Sequence, residues 1–195
     1  MLRYPRVVAA RTTSPSATYA DLLALPKQVV GEILFGVLHV NPRPAPPHAL
    51  AASALGEELG PPFKRAKGGP GGWIILDEPE IHLSHDVVVP DLAGWRRERM
   101  PEVPFDKAYF DLAPDWACEV LSPSTAATDR DEKMRIYGRE LVRNVWLVDP
   151  LVRTLEVLRL DGPTYRIIGV HRDAARARAE PFDAIELDLA TLWAR

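Results

Sequence analysis

The sequence predicts an α/β domain in which a mixed β-sheet is flanked by helices. Three observations lead there. Runs of β-branched and aromatic residues alternate along the chain with stretches of helical apolar spacing. Links rich in proline and glycine separate them, as at NPRPAPP (41–47) and KGGPGG (67–72). Helical and strand segments interleave instead of segregating, which places helices on the faces of a sheet. At 195 residues and 21.7 kDa the chain suits one domain with a substantial core.

Residues 1–18, rich in Ser, Thr, Pro and Arg without periodicity, are expected to form a flexible N-terminal arm, and 19–195 the single domain. A short helix is expected from Tyr19 to Leu25, stopped by Pro26. EILFGVLHV (32–40) reads as two strands turning near Gly36. The spacing of Leu50, Ala54, Leu55 and Leu59 predicts a helix from His48 to Leu59, ended by Gly60-Pro61-Pro62. KGGPGG lacks the GK[ST] ending of a phosphate loop and is read as a turn.

Strands are expected at Trp73 to Leu76, around Ile81, and from Asp86 to Trp95, before a proline- and charge-bearing link over 96–114. A strand at Trp116 to Leu121, a helix from about Asp129 to Leu141 and a strand at Asn144 to Val148 follow. Thr154 to Arg159 is expected to pair with that strand, with a further one at Tyr165 to Val170.

Composition narrows the function classes. A hydrophobic share of 47% and a charged share of 26% are those of an ordinary globular protein. No apolar run approaches a membrane span, and the N-terminus has no continuous apolar segment of the secretory type, so a cytoplasmic protein is expected. The single Cys118 forms no internal disulfide and fits a reducing compartment. A net charge of −3 excludes a protein that coats nucleic acid by bulk charge, but not an enzyme acting on it.

The chemistry gathers around Glu119. Alternation puts Trp116, Cys118 and Val120 on one face of their strand and Ala117, Glu119 and Leu121 on the other. A carboxylate amid apolar strand residues is costly unless paired or bound to metal. Asp91, after the apolar run VVVP, has a similar setting. Two such acids in strands that could be neighbours suggest a hard-cation site, for which magnesium is suited. Asp129, Lys133 and Tyr137 recur every four residues and share one helical face. Met134, Tyr137 and Leu141 supply its apolar stripe, and Thr128 with Asp131 suggests a capping box at its start.

The order Pro90-Asp91, Glu119 and a later lysine resembles the PD-(D/E)XK nucleases. In most of them the lysine lies two residues after the acid, where this chain has Leu121. EVLSPST (119–125), then Asp129, Lys133 and Tyr137, then VWLVDP (145–150) is similar to the Uma-two (Uma2) family, in which the lysine sits on the following helix. Glu32 with Gly36, His48 opening a helix, and Val89-Pro90-Asp91-Leu92 extend the likeness. This chain departs from it at Leu141, where the family has glycine, and at Asn144, where it has an acid; both changes are expected to affect a turn and leave the site intact.

The resemblance implies a restriction-endonuclease-like core and metal-dependent hydrolysis of DNA phosphodiesters. Asp91, Glu119 and Lys133 would be catalytic, with Asp91 and Glu119 holding Mg²⁺ (Mn²⁺ as a substitute) and Glu32, His48 and Asp129 in auxiliary places. By analogy with nucleases of this fold, the chain would be a homodimer. Plainer readings exist: Glu119 paired with Arg135 or Arg139, Lys133 solvated, Asp129 a helix N-terminal charge, Glu32 a hairpin cap. A non-catalytic DNA- or protein-binding module on the same fold is the alternative of a different class. HLSHD (82–86) has no second ligand pair at zinc spacing and is read as a turn, while Cys118 and the five tryptophans are read as core. Arg96-Arg97 and Lys64-Arg65-Lys67 either contact phosphates or solubilise the surface.

Overall fold

The computed structural model describes residues 16–193, so the first fifteen residues of the expected arm lie outside the described residues. Thr18 caps the first helix, α1 (Tyr19–Leu23), in a capping box with Asp21, and the Ala17 N–H donates to the Gly36 carbonyl at 2.8 Å. The hairpin of β1 (Val29–Leu34) and β2 (Val37–Pro42) turns at Phe35 and Gly36, whose φ angles are 49° and 78°. A two-residue loop with both φ positive matches the right-handed twist of its strands.

Helix α2 (Pro46–Leu59) turns Ala51, Leu55 and Leu59 inward. The sequence ends it at Gly60, but a π-wound turn, Gly60–Lys64, carries it on and closes through the Arg65 N–H to the Gly60 carbonyl at 3.2 Å. Pro61 and Pro62 have no N–H to give an α-helical ladder, so the ladder is interrupted there and the wider turn takes its place.

Next come β3 (Trp73–Asp77), β4 (Ile81–Leu83), β5 (Asp86–Val88) and β6 (Leu92–Arg96). The single strand expected from Asp86 to Trp95 is thus two. β5 belongs to a four-stranded sheet of order β2-β1-β5-β4, whereas β6 belongs to a six-stranded one. Pro90 brings no ladder donor, and the chain crosses between the sheets over 89–91.

β7 (Trp116–Val120) leads into a helical run made of α3 (Ala126–Thr128), a π-wound turn (Asp129–Lys133) and α4 (Met134–Arg139). β8 (Asn144–Asp149), β9 (Thr154–Asp161) and β10 (Thr164–Arg172) follow. A short pair, β11 (Arg176–Ala177) and β12 (Leu187–Asp188), and a 3-10 turn, Leu189–Trp193, close the described chain. The six-stranded sheet has the order β10-β9-β8-β7-β6-β3. Its β7–β8 pair is parallel, joined by the helical run, and its other pairs are antiparallel.

One face of that sheet packs on α2 and the C-terminal segment through Leu55, Leu59, Trp73, Trp116, Cys118, Trp146 and Phe182. The other packs on the four-stranded sheet and α4 through Leu34, Val88, Trp95, Ala117, Leu121, Ile136 and Tyr137. β7 therefore splits its side chains as its alternation predicts. The mixed sheet with flanking helices stands as the sequence has it.

The helical run differs at both ends. Thr128 lies inside it and makes no cap, and the run begins after Thr125. At its C-terminus the Val142 N–H donates to the Tyr137 carbonyl at 2.9 Å and the Leu141 N–H to the Gly138 carbonyl at 3.2 Å. This double closure puts Leu141 in the left-handed conformation, φ 60°, with 74% of its surface exposed, outside the apolar stripe; Ile136 is buried instead. A glycine suits that position because it has no Cβ to clash. Leu141→Gly is expected to raise stability by about 0.5–1 kcal/mol, the relieved strain less the entropy a glycine loses on folding. Urea denaturation reads this as a higher midpoint, and an unchanged or lower one would contradict it. Asn144 belongs to no turn: it is the buried first residue of β8, opposite Trp116 and Arg159.

Candidate active site

Asp91 sits one residue ahead of β6, where the chain passes between the sheets, and its Oδ2 accepts the Val120 N–H at 2.6 Å. Glu119 is the one acid of β7 and is 1% exposed. Glu32, on β1, accepts the Val89 N–H at 2.8 Å, tying the hairpin to the crossing segment. Lys133 joins these parts. Its Nζ lies 3.0 Å from Glu32 Oε1, 3.0 Å from Glu119 Oε2 and 3.4 Å from Asp129 Oδ1. One ammonium thus links both sheets and the helical run. His48, in the first turn of α2, places Nε2 3.2 Å from Asp91 Oδ1.

All six residues singled out in the sequence line one cavity of about 280 Å³. Tyr137, read there as packing, is tied to the site through Glu119, its hydroxyl donating to Oε1 at 2.5 Å. The four-residue step from Asp129 through Lys133 was the signal for it. The turn Ser122–Thr125, part of the EVLSPST run, lines the same cavity, as do Arg43 and Glu78, ion-paired at 3.1 Å, which no local pattern announces. The two arginines considered for Glu119 go elsewhere, Arg135 to Asp131 and Arg139 to Asp86 and Glu140. His82 turns to Glu80 at 2.8 Å and stacks on Tyr109, away from any ligand group.

The electrostatics are unbalanced. Four carboxylates, those of Glu32, Asp91, Glu119 and Asp129, face one ammonium and one imidazole. Burial pushes the Glu119 carboxyl well above the usual range; Lys133 opposes this, while Asp129, Asp91 and Glu32 add to it. Burial likewise raises Asp129 against the pull of Lys133. For Lys133, burial favours the neutral amine, but Glu119, Glu32 and Asp129 outweigh it and hold the ammonium charged. His48 is similar: burial works downward, and the hydrogen bond and charge of Asp91, with Asp129 and Glu78, carry its pKa above the ordinary value. Burial and the Glu119 charge keep the Tyr137 phenol protonated, as a donor.

Such an excess of hard oxygen donors is what a divalent cation relieves. Among the described residues no three His, Cys, Asp or Glu side chains are already arranged around one metal position. An ion held by Asp91 and Glu119 would complete its shell with water and phosphate oxygens, as magnesium ordinarily does. The donor set fits such an ion.

The sequence profile of the Uma2 family, described as "Putative restriction endonuclease", matches residues 18–190. The chain belongs to the Uma2 family. A crystal structure from Anabaena variabilis, described as "a putative nuclease belonging to DUF820", resembles this Uma2 protein with a TM-score of 0.73. The likeness covers 91% of this chain and 97% of that one at 21% sequence identity, and it establishes the restriction-endonuclease-like fold. No curated protein matches the sequence. Family and fold together indicate a nuclease-type enzyme. No helix among the described residues is long and apolar enough to cross a membrane.

Proposed function

We propose that this Uma2 protein is a cytoplasmic Mg²⁺-dependent endonuclease that hydrolyses DNA phosphodiester bonds, with Mn²⁺ as a substitute ion. The observation that carries this reading is the convergence of Glu119, Glu32 and Asp129 within 3.4 Å of the Lys133 Nζ, beside Asp91, in one cavity. Asp91 and Glu119 would hold the ion in this reading, and it would supply Lewis acidity toward the phosphate and the attacking water.

The chain's own groups do the rest. Lys133, charged, donates hydrogen bonds to a phosphate oxygen or to the attacking water, where developing negative charge makes each bond stronger. It is not the base while three carboxylates hold its proton. Tyr137 fixes one oxygen of Glu119, the Val120 N–H and His48 fix Asp91, and Glu32 with Asp129 fixes Lys133. In the reaction the water oxygen bonds to phosphorus and one ester P–O bond breaks. The departing oxygen takes a proton, and the water gives one to solvent. Cutting both strands of a duplex takes two such sites, which a homodimer would supply; one chain suffices to nick one strand.

Supercoiled plasmid incubated with the protein tests this. Nicking with Mg²⁺ or Mn²⁺, absent with chelator and lost in Asp91→Ala and Glu119→Ala, is the expected result. No nicking by the wild type with either ion would contradict it.

One observation favours the non-catalytic module. Both oxygens of Glu119 are taken by Lys133 and Tyr137, and both of Asp91 by Val120 and His48, so the carboxylates satisfy one another's neighbours with no ion. Under that reading DNA or a protein partner binds equally with and without metal.

A further inference from the structure

The shape and charge of the same cavity select among nucleic acids, given the hydrolytic reading above. Glu119 and Lys133 lie at its floor, 1% and 4% exposed, so the reacting phosphate must travel inward to meet them. The walls include Val30, the proline-bearing loop 41–45 and the turn Ser122–Thr125. Pro42, Pro44 and Pro123 have fixed φ angles. Ser122 is further tied by its hydroxyl to Ser124 at 2.9 Å and Thr125 at 3.0 Å, which stiffens that wall. The recess, about 280 Å³, falls just below the usual size of ligand pockets (roughly 300–1,000 Å³), room for no more than about one nucleotide.

Charge agrees with size. The lining carries five acids, Glu32, Glu78, Asp91, Glu119 and Asp129, against Arg43, Lys133 and His48. Arg43 is the exposed cation of the rim, and Glu78 already pairs with it. A duplex, with one charge per ~1.7 Å of its axis, is gripped by many lysines and arginines along a face, and among the described residues this mouth offers no such row. A nucleotide paired within a duplex must also be unstacked before it can enter a recess, a cost that an unpaired strand does not meet.

We propose that the substrate is an unpaired strand (a single-stranded segment, a flap, a frayed end or a segment opened by negative supercoiling in a plasmid) whose backbone enters the cavity about one nucleotide at a time, while relaxed, fully paired duplex is cut at least about 10-fold more slowly. Water adds across a P–O ester bond of that strand, leaving a phosphomonoester and a hydroxyl.

The test uses one end-labelled DNA sequence in three forms: single strand, blunt duplex, and duplex bearing an unpaired flap, each with Mg²⁺ and with Mn²⁺. The single strand and the flap arm are expected to be cut at least about 10-fold faster than the blunt duplex, with cuts in the flap substrate confined to the unpaired arm. Duplex cut as fast as single strand would overturn the proposal and leave the nuclease reading standing. No cutting of any form would overturn both. Fluorescence anisotropy of Asp91→Asn with the same three DNAs gives a readout apart from turnover: tighter binding of the single strand is expected, and equal or tighter binding of the blunt duplex contradicts the proposal.

Discussion

Replacing Lys133 with methionine is expected to destabilise the fold by about 3–5 kcal/mol, the range for removing one partner of a buried ion pair. The reason lies in what remains. Glu32, Glu119 and Asp129 converge on the Lys133 Nζ within 3.4 Å, and without it three buried carboxyls face one another with no cation among them. Glu119 and Asp129 already have raised pKa values with the lysine present, burial being the largest cause. Adding Glu119→Gln to Lys133→Met removes one of those charges while keeping the shape, so the double variant is expected to recover part of the loss. Denaturant midpoints of the four proteins measure the coupling. A loss below about 1 kcal/mol in the single variant would place the lysine in a solvated setting and remove its structural role.

Asp91→Asn is expected to lower the Mg²⁺-dependent nicking rate about 100-fold or more while leaving the fold near wild-type stability. Asparagine has the size of aspartate and its carbonyl can still accept the Val120 N–H. It lacks the negative charge that a divalent ion requires of its ligand. The Asp91 side chain is also the more open of the two proposed ligands, 17% against 2% for Glu119, so its replacement disturbs less packing. Initial rates on supercoiled plasmid, read beside thermal melts of the same samples, separate lost chemistry from lost folding. A fall smaller than about 10-fold in a folded variant would take Asp91 out of the metal centre.

What the sequence made legible follows the range over which each pattern acts. The two-residue period of β7 places Glu119 opposite Cys118 without reference to any other part of the chain, and the structure keeps that division. The four-residue step does the same for Asp129, Lys133 and Tyr137. Long-range contacts left no such mark. That Glu32 would meet Lys133 depends on the packing of a four-stranded sheet on a six-stranded one, over a hundred residues apart in the chain. The strand break at 89–91 is a change of sheet, invisible in a run as apolar as VVVP. Tyr137 was legible as packing because its ring is buried; its hydroxyl gained meaning only once Glu119 stood opposite. The strands β11 and β12 are two residues each, too short for any periodicity to show. Leu141 looked like a stripe residue because its spacing is helical, whereas the chain had already left the helix at Glu140.

The most direct test of the central claim, that Asp91 and Glu119 together hold a divalent ion, is calorimetric titration of Mg²⁺ into the wild type, Asp91→Asn and Glu119→Gln. A saturable heat is expected in the wild type, lost or greatly weakened in both variants. A wild type that shows no binding, or variants that bind as well as it does, would contradict it.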